Sequence, residues 1–245
     1  AKILPKTLKK SGSLEDQMRS LRYSFYLDIC RRTGATKIAL GHTLDDQAQT
    51  VLMRVLRGSG LFGLSAILPR RVLAEGIEVV RPLIGVTKKE VLSYLKKKRV
   101  RYCADETNED LAFLRNKVRR HLLPLLEKQY NPNIKETLAH LALTVGADYR
   151  YLSQEADRFL RDQGSCRDGC VHLPLDSLSA LDVSLRRIVL RKGFEKVKGD
   201  LKKWELRHGQ EIEDLMLFRP RGSQVHLPDG MIVAKTDKAI KIFKR

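Results

Sequence analysis

Two adjacent carboxylates and a histidine follow a short apolar run in the first quarter of the chain. Asp45 and Asp46 stand just after His42, and His42 comes directly after the apolar run and Gly41. Neighbouring carboxylates can hold Mg²⁺, which takes a few protein oxygens and leaves its other positions to water or substrate phosphates. Either aspartate could equally cap a following helix, because carboxylates accept hydrogen bonds from the N–H groups of a first turn. Spacing alone leaves both interpretations open.

A strand before these residues and a helix after them would position them. The run 37–40 is bounded by glycines, which is typical of a buried strand in a parallel sheet. Apolar residues then recur at helical spacing over 51–56, and Gly58 supplies a helix stop. Open parallel sheets bind ligands beyond the carboxyl ends of their strands. The pattern therefore predicts that the histidine and both aspartates lie at the edge of a ligand crevice.

Charge indicates the class of partner. The 245 residues include 47 Lys+Arg against 29 Asp+Glu, a formal net charge of +18, which favours a polyanion and most simply nucleic acid. No apolar run approaches the ~20 residues of a membrane span, so no membrane partner is expected. No signal peptide is recognised, and four scattered cysteines are too few for a disulfide framework, so a cytoplasmic location is expected.

Further elements follow along the chain. We predict strands over 77–83 and 100–104, and a helix that opens with the capping box Thr87-x-x-Glu90 and ends in a basic run. A long helix is expected from residue 134 toward residue 160. Two helices, over 178–194 and 204–218, should precede a hairpin with an Asp-Gly turn at 229–230 and a further strand at 239–243. Helices followed by strands predict a small α+β module at the carboxyl end.

The stretch 41–64 carries a family resemblance. Its GHTLDDQAQT, followed by RGSGLFGL, resembles the GHxxDDxxET…RGxGxxGL signature of tRNA(Ile)-lysidine synthetases, which are PP-loop, or N-type, ATP pyrophosphatases. Four shorter segments also occur in the family order: SLExxxRxxRY from Ser13, RPL from Arg81, DxTN over 105–108, and RNxxR from Arg115. One departure is Gln49, where the family has a glutamate that is associated with the amino-acid substrate.

The resemblance implies an α/β fold. It would be a partial doubly wound parallel sheet of the Rossmann-like N-type ATP pyrophosphatase kind, followed by helices and a small α+β domain. The expected domains are 1–128, the remainder of the catalytic domain; 129–164, a helical connector; and 165–245, a tRNA-docking domain.

The resemblance also implies an ATP-dependent ligase. Such an enzyme joins L-lysine to C2 of the wobble cytidine of isoleucine tRNA with a CAU anticodon, through an adenylated intermediate, with ATP and Mg²⁺ as cofactors. The chain is also compatible with a homodimer. The catalytic residues would be Asp45, Arg115 and Asp46, and Asp46 would also be the Mg²⁺ ligand. The ATP or substrate would be bound by His42, Gln49, Arg81, Asn116 and Arg119. From their charge, we expect the tRNA to be bound by Arg54, Arg57, Lys96, Lys97, Lys98, Arg99, Arg186 and Arg187. The run 96–99 could equally complement the dipole at the end of its helix, and residues 186–187 could lie on a solvated face.

One family feature does not occur in the sequence. PP-loop enzymes cradle pyrophosphate in a Ser-Gly-Gly-x-Asp-Ser loop, which these 245 residues do not contain. This chain by itself is therefore expected to bind ATP poorly and to have little or no activity. We favour a fragment of an enzyme over a relative that only binds tRNA. A tRNA-thiolating PP-loop enzyme is the third alternative, and the absence of any Cys-x-x-Cys in the sequence speaks against it.

Overall fold

The computed structural model describes residues 14–103 and 113–245. The proposed cap at Ser13 and the DxTN segment at 105–108 lie outside the described residues. The chain divides into two compact units, residues 1–146 and 147–245. The domain boundaries expected near residues 128 and 164 stay predictions.

The first unit is built on a three-stranded sheet in the order β1-β3-β2. Its strands are β1 (Lys37–Ala39), β2 (Arg70–Ala74) and β3 (Ile77–Val80). The outer strand β1 runs parallel to β3, with Ile38 opposite Val79, and β2 pairs with β3 in antiparallel orientation. The parallel pair confirms the predicted α/β class. Strand β2 was not predicted, and the strand expected over 100–104 was wrong for 100–103, which belong to no strand.

Helices precede, separate and follow these strands along the chain. They are α1 (Leu14–Thr33), α2 (Leu44–Leu56), α3 (Leu61–Leu64), α4 (Lys88–Lys97), α5 (Leu114–Lys117), a π-helical segment (Val118–Leu122), α6 (Leu123–Gln129) and α7 (Ile134–Asp162), the last of which continues into the second unit. None of the helices in the described part of the chain is long and apolar enough to cross a membrane.

Helix α2 supplies the centre of a small apolar core. Ala48, Val51 and Leu52 pack with Val118 of the π-helical segment and with Leu138 of α7. The expected apolar stripe only partly holds, because Val51 and Leu52 are buried whereas residues 55 and 56 are exposed. The buried half of the stripe fixes the start of α2 against the helices that follow β3.

The second unit is an antiparallel sheet covered by helices. Its strands are β4 (Ser165–Arg167), β5 (Cys170–Pro174), β6 (Gln224–Leu227), β7 (Met231–Lys235) and β8 (Ala239–Lys244), in the order β4-β5-β8-β7-β6. Its helices are α8 (Leu175–Ser179), α9 (Val183–Lys198) and α10 (Leu206–Leu217). Phe194, Ile212 and Ile242 lie in its core. This arrangement confirms the predicted α+β module.

Two of the three hairpins of the second unit turn at an Asp-Gly pair. Asp229 and Gly230 have φ of 62° and 77°, and Asp168 and Gly169 have φ of 51° and 71°. At 168–169 these two residues form the whole turn, because Arg167 pairs with Cys170, and positive φ at both positions matches the twist of the flanking strands. At 229–230 the turn also includes Pro228, because Leu227 pairs with Met231. The hairpin at 229–230 was predicted. The one at 168–169 was instead interpreted as a domain boundary.

Candidate active site

The predicted crevice lies at the carboxyl ends of two parallel strands. The Leu40 N–H, just beyond β1, donates to the Val80 carbonyl at the end of β3, with 2.9 Å between nitrogen and oxygen. The chain then continues to His42 from one strand and to Arg81 from the other. Because neighbouring parallel strands end at the same edge, these two side chains are brought to one side of the sheet.

Asp46 uses both of its carboxylate oxygens. Oδ2 accepts hydrogen bonds from the backbone N–H and the hydroxyl of Thr43, at 2.9 and 3.0 Å. Oδ1 lies 3.0 Å from Nη2 of Arg115. The carboxylate therefore stabilises the first turn of α2 and also holds the guanidinium in place. The capping interpretation is thus observed, together with a second contact that could serve chemistry.

Gln49 holds the same arginine from the next turn of α2. Its Oε1 accepts from Nε of Arg115 at 3.3 Å, and the glutamine is 5% exposed. Arg115 is thereby held at two nitrogen atoms by residues of one helix face. The following residue, Asn116, is buried beside it on α5. A guanidinium held this firmly can present its remaining donors to an anion in a fixed direction.

Asp45 faces different partners from those of its neighbour. Its Oδ2 accepts from the backbone N–H of Lys88, at the start of α4, at 2.6 Å. Its Oδ1 lies 3.6 Å from Nζ of Lys135. The two adjacent aspartates are thus not joined in one ligand set. Within the described ranges, no group of three or more His, Cys, Asp or Glu side chains could hold a metal ion.

His42 and Arg81 each bury a polar atom that has no partner among the described residues. These atoms are Nδ1 of the histidine and Nε of the arginine. Arg81 is 6% exposed, and its Nη1 donates to the Leu68 carbonyl at 2.5 Å. Burial, followed by the positive charge of Arg81, lowers the pKa of His42 below its ordinary value. The imidazole is therefore neutral near pH 7.

The other residues predicted in the first unit fall in two places. Arg119 lies half-buried in the π-helical segment, and its role stays a prediction. The basic residues proposed to bind tRNA are exposed at the carboxyl ends of α2 and α4: Arg54, Arg57, Lys96, Lys97, Lys98 and Arg99.

Arg186 and Arg187 of the second unit are held by a buried glutamate. Nε and Nη2 of Arg187 donate to Oε2 of Glu213 at 2.9 and 2.8 Å. Nε of Arg186 lies 3.6 Å from Oε1 of Glu213, and the side chains of Arg186 and Glu213 are each 11% exposed. These contacts give both arginines a structural task in joining α9 to α10. Their proposed contact with tRNA stays a prediction.

Two partners in this site were missed from the sequence. Thr43 and Asp46 form a capping box, and the spacing of a threonine and an acidic residue three positions later could have revealed it. Lys135, which pairs with Asp45 and Glu127, gave no such signal. Its distance of 90 residues from Asp45 along the chain hides that contact.

Comparison with known proteins gives the relatives of the chain. A family model described as a PP-loop domain matches residues 3–126. The tRNA(Ile)-lysidine synthase of Solibacter usitatus is 39% identical over 204 residues, which cover 83% of this chain and 46% of that protein. The tRNA(Ile)-lysidine synthase of Geobacter sulfurreducens is 35% identical over 234 residues, 95% of this chain and 49% of that protein. The chain thus spans about half the length of these curated relatives.

A solved structure is also similar to the chain. The U34-tRNA thiolase of Methanococcus maripaludis matches with a TM-score of 0.46 and 20% identity, over 56% of this chain and 46% of that chain.

Proposed function

Since this chain belongs to the PP-loop family and, within it, to the tRNA(Ile)-lysidine synthases, we propose that the natural protein carrying it makes lysidine. The reaction joins the ε-amine of L-lysine to C2 of the wobble cytidine in an isoleucine tRNA with a CAU anticodon. ATP first adenylates the C2 carbonyl oxygen and releases pyrophosphate. The amine then displaces AMP, and the protein acts in the cytoplasm.

The observation that carries this proposal is the cluster of Arg115, Asp46 and Gln49 beside the carboxyl ends of β1 and β3. Both steps expel a phosphate-bearing leaving group, so negative charge grows on phosphate oxygens. A guanidinium that is oriented in advance stabilises such charge without having to reorganise. Arg115 is held in this way by two side chains of α2, and we assign it to the leaving phosphate.

Asp46 is the residue that fits Mg²⁺. Its side chain is 31% exposed, and a carboxylate oxygen suits a hard cation that takes its other ligands from phosphates and water. When bound there, Mg²⁺ would neutralise charge on the leaving pyrophosphate. Asp45 fits less well, because its side chain is less exposed, at 18%.

His42 and the exposed cations have separate tasks in this proposal. The neutral imidazole lines the nucleotide site, with Nδ1 free to accept a hydrogen bond from a substrate N–H or O–H group. The basic side chains at the ends of α2 and α4 lie in solvent, where they can contact tRNA phosphates. The net charge of +18 supports the same partner.

The test uses the natural full-length protein, a tRNA transcript with a CAU anticodon, ATP and radiolabelled lysine. We expect lysine to enter the tRNA only when ATP is present, with one pyrophosphate released for each lysine incorporated. Binding of the transcript without pyrophosphate release would reject the ligase in favour of a tRNA-binding relative. Transfer of sulfur to the transcript would instead favour a tRNA-thiolating enzyme.

A further inference from the structure

Three arginines gather around Tyr23 in the first unit. The Cζ atoms of Arg19 and Arg71 lie 5.6 and 5.1 Å from the centre of the Tyr23 ring. Tyr23 also lies near Arg81, whose pKa it raises. The three cations come from α1, from β2 and from the residue after β3. Arg19 lies one helical turn from Tyr23 on α1, whereas Arg71 and Arg81 reach the tyrosine only through the fold.

The cluster has no compensating negative charge in the described part of the chain. None of the ion pairs seen among the described residues involves Arg19, Arg71 or Arg81. Burial, together with the positive charges of Arg71 and Arg19, lowers the pKa of Arg81, while Tyr23 raises it. A buried charge without a counter-charge is costly, so such an arrangement is typical of a site whose ligand brings the opposite charge.

Arg81, the buried arginine of the three, also has an N–H group without a partner among the described residues. Nε of Arg81 is enclosed and makes no hydrogen bond within the described residues, although the side chain is only 6% exposed. Nη1 of the same guanidinium is fixed by the Leu68 carbonyl at 2.5 Å, which sets the orientation of the whole planar group. An oriented guanidinium with an unused N–H suits an oxygen of a tetrahedral anion.

We propose that Arg19, Arg71 and Arg81, arranged around Tyr23, form a binding site for a phosphate group. Guanidinium groups match phosphate through paired N–H donors, and three of them can surround an anion that carries more than one charge. Tyr23 keeps two of the cations in place through its ring face and adds a hydroxyl to the site. The site lies on the same side of the sheet as His42, whose pKa is lowered by both Arg81 and Arg19.

The existence of this site does not depend on the proposed ligase. Only the source of its phosphate rests on that function, because a nucleotide triphosphate and an RNA phosphodiester present the same chemistry. The two sources are separated by the experiment below. If the protein proved not to be a ligase, the test of this site by pyrophosphate binding would still be valid.

The experiment titrates inorganic pyrophosphate into the natural full-length protein and follows the heat of binding. Arg71→Gln and Arg19→Gln change exposed residues, so both variants should fold, as circular dichroism can verify. We expect each to bind pyrophosphate about tenfold more weakly, the scale of one charge-assisted hydrogen bond. Arg70→Gln is the matched control, because successive residues of a strand point to opposite faces, and its affinity should change by less than about twofold.

The comparison of Arg71 with Arg70 decides the proposal. Equal weakening by both substitutions would show a diffuse charge effect and overturn the site, as would unchanged binding in both Arg71→Gln and Arg19→Gln. If the site holds, the same variants are titrated with ATP and with an RNA stem-loop that carries the CAU anticodon. Selective weakening of ATP identifies a nucleotide phosphate as the ligand, and selective weakening of RNA identifies a backbone phosphate.

Discussion

The guanidinium of Arg115 and the carboxylate of Asp46 meet at 3.0 Å although they lie 69 residues apart in the chain. Their side chains are 35% and 31% exposed, and a partly exposed pair of this kind contributes only about 0–1 kcal/mol to stability. The contact therefore matters chiefly for direction. It holds Arg115 beside the start of α2, near enough to His42 for its charge to add to the burial and the Arg81 charge that lower the pKa of that histidine.

Replacing Asp46 tests the catalytic assignment. Asp46→Asn removes the charge that orients Arg115 and that suits Mg²⁺, so we expect pyrophosphate release to fall by about 100-fold or more. Affinity for tRNA, which rests on many surface cations, should change by less than about twofold. Pyrophosphate release and filter binding measure the two effects, and Asp28→Asn on exposed α1 serves as control. Equal losses of adenylation and of tRNA affinity would remove Asp46 from the catalytic set.

Gln49 offers a test of lysine recognition. Gln49→Glu places a carboxylate beside Arg115 at the position where the family carries glutamate. A negative charge near the site attracts the lysine ammonium, so we expect KM for lysine to fall several-fold while KM for ATP stays within about twofold. Gln49→Met, which keeps the size but loses the acceptor, should not lower KM for lysine. Steady-state kinetics with lysine as the varied substrate gives the comparison, and an unchanged KM in Gln49→Glu would exclude this role.

The lowered pKa of His42 predicts a pH dependence of stability. The ordinary pKa is 6.5, and burial followed by the charge of Arg81 lowers it in the folded protein. As the pH falls through 6.5, His42 is protonated in the unfolded chain but stays neutral in the folded chain. The free energy of unfolding therefore decreases. Urea denaturation followed by circular dichroism at pH 7.5 and 5.5 should show this loss, and His42→Gln should show less of it.

A neighbouring range of pH provides the control for this prediction. The carboxylates with lowered pKa, Glu90, Asp200 and Asp229, stabilise the fold above their ordinary values of 4.5 and 3.8 and lose that effect only at lower pH. They therefore do not account for a change between pH 7.5 and 5.5. His140→Gln, at an exposed position of α7, should leave the pH dependence as it is in the parent protein.

Glu213 should stabilise the second unit strongly. Glu213→Ala leaves Arg186, whose side chain is 11% exposed, without its counter-charge, and we expect the free energy of unfolding to fall by about 3 kcal/mol. The ring centre of the single tryptophan, Trp204, lies 4.7 Å from that of Phe194, so tryptophan fluorescence reports unfolding of this unit in urea.

Glu211→Ala is the matched control, because Glu211 is exposed on the same helix. It should change stability by less than about 0.5 kcal/mol. A similar small effect of Glu213→Ala would show that the ion pair with Arg186 contributes nothing to folding.

Local patterns predicted most of the elements. Helix α4 begins at Thr87 with the capping box read from the sequence, and the Asp-Gly pair at 229–230 turns the predicted hairpin. Failures occurred where a strand depends on its partner. Strand β2 has exposed Arg70 and Arg71 and forms because β3 pairs with it. Residues 100–103 include strand-forming Val100 and Tyr102 but pair with no strand in the described chain.

The site was predictable in its residues but not in their contacts. Asp46 and Arg115 were chosen from the family signature, yet no local rule indicates that they touch, because the contact depends on how α5 packs beside α2. The opposite holds for Tyr23 and Arg71. Neither spacing nor charge pattern marks them as neighbours, and only the pairing of β2 with β3 brings that arginine to the tyrosine.

The π-helical segment Val118–Leu122 sets the rotational phase between two parts of a continuous helical run. Each residue of an α-helix rotates about 100° around the helix axis from the one before it. A turn that holds one extra residue therefore rotates the side chains before it by about that angle relative to the side chains after it. Leu123 can therefore face the core while Arg115 faces Asp46. Removing one residue from this turn would rotate the guanidinium away from its carboxylate while leaving the sequence of both partners intact.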